Sequence, residues 1–137
     1  MTKVYNDTKD YYYLTTAAPK IIEKIMPADC LVITPYGPNL RMGSFINAMS
    51  TFNIRSSWDK ILEKYNCIYF FKDYLCDYEY SKKGMKEDCD FFKKNYYLIP
   101  KIVIGSKKIN MTYTLYRIYT KTNDLNETQY VKKVYID

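Results

Sequence analysis

An α/β fold, a mixed sheet flanked by helices, is what this sequence predicts, and three segments predict it. Leu31–Thr34 is a brief apolar run bounded by Pro35, Gly37 and Pro38, the pattern of a strand covered on both faces and therefore central in a sheet. Residues 82–96 set Met85, Cys89, Phe92 and Tyr96 on one helical face, behind a Ser81 able to cap the helix. Leu98–Ile109 reads as a proline-led hairpin, with strands at 102–104 and 107–109 around a tight turn at Gly105-Ser106.

The remaining elements follow in chain order. Residues 1–14 are polar and tyrosine-rich with no clean period, which suits an arm or a short edge strand. Thr15 or Thr16 can cap a helix over 16–26 that tolerates Pro19 in its first turn, buries Ile21, Ile22, Ile25 and Met26, and stops at Pro27. A helix over about 39–51 is expected from the spacing of Leu40, Gly43, Phe45, Ile46 and Met49. Ser56 and Asp59 make a start resembling a capping box for a helix over 57–65 with Trp58, Ile61, Leu62 and Tyr65. Cys67–Leu75 has strand composition. Two periods compete over 111–121: Met111, Leu115, Ile118 and Tyr119 fit a helix, while Ile109, Met111, Tyr113 and Leu115 alternate. Because the alternation fails at Arg117, the segment reads as helical. Residues 129–136 alternate weakly and suit a strand or a docked extension.

A chain of 137 residues, 47% apolar and 26% charged, is expected to form one domain with a real core. No run approaches a membrane span and the first residues lack an apolar signal region, so a cytoplasmic location is the expectation, with no membrane partner. On that expectation Cys30, Cys67, Cys76 and Cys89 are reduced, buried thiols. Histidine is absent, which removes the Ser-His and Cys-His means of activating a nucleophile. The net charge of +6 and the seventeen tyrosines raise the possibility of a sequence-tolerant nucleic-acid surface. Against it, the lysines fall in scattered pairs at 82–83, 93–94, 107–108 and 132–133, broken by acids and apolar residues. Heavy use of Tyr, Asn, Lys and Ile fits an A+T-rich coding sequence of the kind found in many large DNA viruses, phages and some parasites; a viral protein in the host cytoplasm or the virion is the leading expectation.

Two segments resemble a known family. The turn Gly37-Pro38-Asn39-Leu40 after the first strand stands where a glutaredoxin has Cys-Pro-Tyr-Cys, with Arg41 and Gly43 at its usual basic and small positions. Ile99-Pro100 and Val103-Ile104-Gly105-Ser106-Lys107 are similar to that family's Val-Pro and Phe-Ile-Gly-Gly-Lys. The resemblance is to the glutaredoxin branch of the thioredoxin fold and covers residues 30–122, leaving 1–29 as an N-terminal extension with a short helix and 123–137 as a C-terminal extension packed on the same domain.

The departures from the family set the functional expectation. A redoxin needs a thiolate at a helix N-terminus, and neither Gly37 nor Leu40 has sulfur. The glutathione-holding Gly-Gly-x-Asp corresponds to Asn110-Met111-Thr112-Tyr113, so the resemblance implies no cofactor. What it leaves is a groove for an extended partner chain, with Tyr36, Gly37, Pro38, Asn39 and Arg41 on one side and Ile99 and a cis Pro100 on the other. The bland alternative is that Pro100 begins a strand, where its missing N–H costs nothing. The leading expectation is a non-catalytic module with a protein partner or a second copy of itself. The alternatives are an unconventional thiol-disulfide oxidoreductase, in which Cys30, Cys67, Cys76 or Cys89 approaches the turn from another element and a folded-back loop could pair Cys76 with Cys89, and a basic nucleic-acid-binding protein.

Overall fold

The computed structural model describes residues 2–41, 44–120 and 131–137. Its elements are α1 (Thr2–Ile25), β1 (Leu31–Thr34), α2 (Pro38–Arg41), β2 (Ala48–Ser50), α3 (Trp58–Lys64), β3 (Ile68–Lys72), α4 (Lys83–Asn95), β4 (Tyr97–Ser106), β5 (Met111–Tyr119) and β6 (Lys132–Tyr135). Single 3-10 turns sit at 51–53, 55–57 and 74–76. The strands form one mixed sheet in the order β2-β1-β3-β5-β4-β6. Since β1 pairs parallel with β2 and β3, β5 antiparallel with β3 and β4, and β6 parallel with β4, all strands but β5 point the same way. Their carboxyl ends therefore share one edge.

Helices cover both faces of this sheet. On one, Leu14, Ala18 and Ile22 of α1, spaced by four on a single stripe, pack with Val32, Phe71, Ile102, Ile104, Tyr113 and Leu115. On the other, Trp58 and Ile61 of α3 and Phe92 of α4 pack with Leu31, Ile33, Ile68, Phe70 and Ile118. All four residues of β1 are buried, as a strand covered on both sides requires. The broad expectation of an α/β sheet flanked by helices, with β1 inside it, is met.

Several local expectations are corrected. Residues 2–14 are helical, so α1 runs through the segment read as an arm, and Pro19 lies deep in the helix, not in its first turn. The buried stripe explains this, because tertiary packing outweighs the one backbone bond that Pro19 removes. Neither threonine caps the helix: Thr16 Oγ1 donates to the Tyr12 carbonyl at 2.7 Å, and Thr15 Oγ1 shares a hydrogen bond with Tyr113 Oη at 3.0 Å. The helix expected over 39–51 reduces to α2, after which Val32 N donates to the Asn47 carbonyl and β2 joins the sheet edge. Gly43, assigned a packing role above, lies outside the described residues, as do residues 121–130 with the expected boundary at 122–123.

Residues 111–119 are strand β5, not a helix. Tyr113 and Leu115 face α1 while Tyr116 and Ile118 face α4, so both faces are covered and the alternation is masked in sequence. Arg117 breaks the apolar pattern because its guanidinium lies over the rings of Tyr69 and Tyr119, at 5.2 and 5.4 Å, where cation–π contact stands in for apolar packing. The hairpin turn accordingly falls at 107–110, with Asn110 at φ 51°, and not at Gly105-Ser106. Helices 57–65 and 82–96 are observed as α3 and α4, but the caps drawn for them, Ser56 with Asp59 and Ser81, are not formed: Ser57 and Lys82 start these helices with no side-chain capping bond. The tail is a strand, held where the Asp137 carboxylate accepts from Ser106 Oγ at 2.5 Å and from the Lys107 amide at 2.8 Å.

Candidate functional site

The expected groove divides in two. Tyr36, Gly37, Pro38, Asn39 and Arg41 occupy the turn from β1 into α2, whereas Ile99 and Pro100 lie in β4, paired with Arg117 and Tyr116 of β5. β3 and β5 stand between β1 and β4, which separates the two halves by three strand spacings, about 14 Å. The Ile99–Pro100 bond is trans, there being no cis peptide among the described residues. Pro100 instead adjoins a register shift between Pro100 and Ile102, a place where a strand accommodates a residue without an N–H. The proline therefore does what any strand proline must, and its cis geometry is withdrawn.

The β1–α2 turn is closed to any side chain at its key position. Gly37 N–H donates to Ser50 Oγ at 2.8 Å in a buried bond that draws the turn onto β2. A Cβ at Gly37 would meet Ser50 N at 3.0 Å, the Met49 carbonyl carbon at 3.1 Å and Ser50 Oγ at 3.1 Å, two of them backbone atoms that cannot swing aside. A thiol where the redoxin pattern places one would require Met49 and Ser50 to give by a few tenths of an ångström. Three residues on, Leu40 points into the α1-side core.

The cysteines are correspondingly elsewhere, and their expected reduced state is corrected. Cys30 is bonded to Cys67 and Cys76 to Cys89, leaving no free cysteine among the described residues. The first bridge joins the amino ends of β1 and β3, beside Leu31 N–H to the Cys67 carbonyl at 3.0 Å, with the Arg117 guanidinium donating to Cys67 Sγ. The second joins the 3-10 turn after β3 to the middle of α4. The Cys76–Cys89 pairing was among the sequence alternatives; the Cys30–Cys67 pairing was not, since it depends on β1 and β3 lying side by side.

The turn from β3 into α4 is the more open one. Asp73 ends β3 almost wholly buried, its Oδ1 accepting from Leu75 N–H at 2.9 Å. Burial pushes its carboxyl up from 3.8 to about 7, against the lowering effect of that hydrogen bond. Beyond it lies a cavity of about 700 Å³ between the 3-10 turn after β2 and the first turns of α4. Leu75 and Met85 supply apolar wall, and Phe52 and Tyr80 stand at its mouth, 65% and 71% exposed. Thr51 Oγ1 and Ser81 Oγ are buried on its lining with no hydrogen-bond partner. Of these residues the sequence singles out only Ser81, as a helix cap, and Met85, on the apolar face of 82–96. The signal available was positional: loops at the carboxyl edge of parallel strands are where α/β sheets bind ligands.

Among the described residues no helix is long and apolar enough to cross a membrane. Two of the lysine pairs stand apart, since Lys82-Lys83 and Lys93-Lys94 occupy opposite ends of α4, about 15 to 20 Å from each other. No family model matches the chain, and neither the curated proteins nor the solved structures contain a match to it.

Proposed function

We propose that this chain is a non-catalytic binding module built on a disulfide-stapled α/β scaffold, and that its partner is a protein. The observation that carries this reading is the seat of Gly37: the helix start that would activate a thiol is packed against β2 so closely that any side chain there must push Met49 and Ser50 aside. The cysteines support it further, because all four are tied into bridges, Cys30–Cys67 at the amino ends of β1 and β3 and Cys76–Cys89 between the turn after β3 and α4. Two such bridges favour an oxidising setting over a reducing one. The thioredoxin-like part of the reading rests on the likeness of residues 30–41 and 98–109 and on the coarse layout of a mixed sheet between helices.

Contact with a protein is suggested by rings set where the fold does not need them. Phe45 is 96% exposed beyond α2, its backbone N–H held by Glu23 Oε1 at 3.0 Å, and Tyr36 is half exposed on the turn before α2. Aromatic side chains give large contact area at low entropic cost. The test has two arms. Insulin reduction by the purified chain with glutathione or dithiothreitol is expected to run at the uncatalysed rate, and turnover above it would refute the non-catalytic reading. A partner captured from the native setting is expected to be lost with Phe45→Ser while the melting temperature stays the same; retention by that variant would refute the contact surface.

A further inference from the structure

We propose that the cavity at the start of α4 binds a small molecule carrying a flat aromatic ring and one anionic group. The site lies at the carboxyl edge, where the chain leaves β1 toward β2 and β3 toward α4 and β4, the reversal of direction beside which α/β sheets open a crevice. Its volume of about 700 Å³ is that of a pocket for a drug-sized molecule.

The anionic group belongs at the helix start. α4 is 13 residues long, begins at Lys82 with no capping side chain, and has no acidic residue in its first turn. The amides of Lys83 and Gly84 are those a helix start leaves without an intrahelical acceptor, and the helix dipole favours negative charge beside them. Gly84 keeps this approach clear: nothing lies within 4 Å of where its Cβ would be. Lys82 lines the cavity at the same end.

A second observation points to a ligand independently of the helix. Thr51, 2% exposed, is a lining residue whose buried Oγ1 has no partner, and Ser81, in the loop before α4, is another whose buried Oγ has none. A buried hydroxyl left unpaired costs on the order of 1–3 kcal/mol, so a site that keeps two of them is shaped for something that bonds to them. The ring belongs between Phe52 and Tyr80, against the Met85 thioether, which suits an aromatic edge.

Calorimetric titration of the intact, oxidised chain tests this with three probes. 2-Naphthoate is expected to bind at one site per chain, while 2-naphthalenemethanol, which lacks the charge, and cyclohexanecarboxylate, which lacks the flat ring, bind about fivefold to tenfold more weakly. Gly84→Leu fills the cavity from a helix surface and removes a helix-weakening glycine, so it is expected to abolish 2-naphthoate binding while melting at or above the parent temperature. Thr51→Val is expected to weaken binding about threefold or more without lowering the melting temperature, because it removes an unpaired hydroxyl. Absence of saturable 2-naphthoate binding, or its survival in Gly84→Leu, would overturn the site. Equal affinity for the carboxylate and the carbinol would overturn the anionic half of the assignment.

Discussion

Two turns in this molecule carry the chain from a parallel strand into a helix at the same edge of the sheet, and they are built in opposite ways. In the first, from β1 to α2, Thr34 closes the strand by donating its hydroxyl to the Phe71 carbonyl at 3.1 Å, and Gly37 is pressed onto β2 so tightly that even a methyl group would collide. In the second, from β3 to α4, a carboxylate ends the strand, a longer loop follows, and Gly84 faces empty space. One glycine is there because nothing larger fits; at the other, something larger would fit easily. Space at a strand-to-helix turn is thus decided by what the chain packs there next, for β2 returns to the Gly37 turn while the turn after β3 is tied to α4 by Cys76–Cys89.

The largest effects are expected from the two bridges, which bear unequally on the two turns. Replacing Cys30 and Cys67 with alanine opens a cross-link of sequence separation 37 at the amino edge and should cost about 4 kcal/mol in urea unfolding. Replacing Cys76 and Cys89 opens one of separation 13 and should cost about 3 kcal/mol. Binding of 2-naphthoate should report the reverse ranking, surviving the first change and weakening with the second, because only Cys76–Cys89 anchors the loop beside the cavity. If both replacements left binding alike, the second turn would not depend on its staple and the contrast drawn here would fail.

A smaller effect separates the glycines directly. Gly37→Ala should destabilise by about 1–3 kcal/mol, the usual cost of forcing atoms into a packed site, whereas Gly84→Ala should stabilise by up to about 1 kcal/mol through helix propensity. Thermal or urea melts of the two variants measure this. Equal shifts would mean that β2 yields to the added methyl, and a thiol at position 37 would then no longer be excluded on steric grounds.

How much of this was legible depended on the range of the interactions involved. β1, α3 and α4 were readable because their signals are local: four apolar residues between turn formers, and stripes at helical spacing. β5 was misread because each of its faces has its own apolar set, so neither period dominates, and because Arg117 finds Tyr69 only across a strand pair. α1 was read short, since its stripe at Leu14, Ala18 and Ile22 is defined by a sheet face that no local window contains. For the site, the absence of a thiol at Gly37 was plain, but the reason for it, the return of residues 49–50, was not. The cavity was invisible because residues 51–52, 75–82 and 84–88 meet only once β2, β3 and α4 are in place.

The finest distinction between the turns is electrostatic and depends on pH. Asp73 titrates near 7 in the folded chain against 3.8 for the unfolded group, because burial disfavours its charge. Between those values the folded state retains a proton that the unfolded state has released, so stability falls as pH rises from about 4 to about 7 and is level above that. Thr34, which closes the strand before the first turn, has no charge to lose. Asp73→Asn keeps an oxygen to accept from Leu75 N–H but cannot ionise. It should leave stability unchanged near pH 4 and raise it at pH 8, by about 1–2 kcal/mol once the cost of burying the amide is set against the removed charge. Urea unfolding of both forms at the two pH values measures the difference. A gain of equal size at pH 4 would trace the effect to packing, and the contrast between a neutral turn and an ionisable one would be lost.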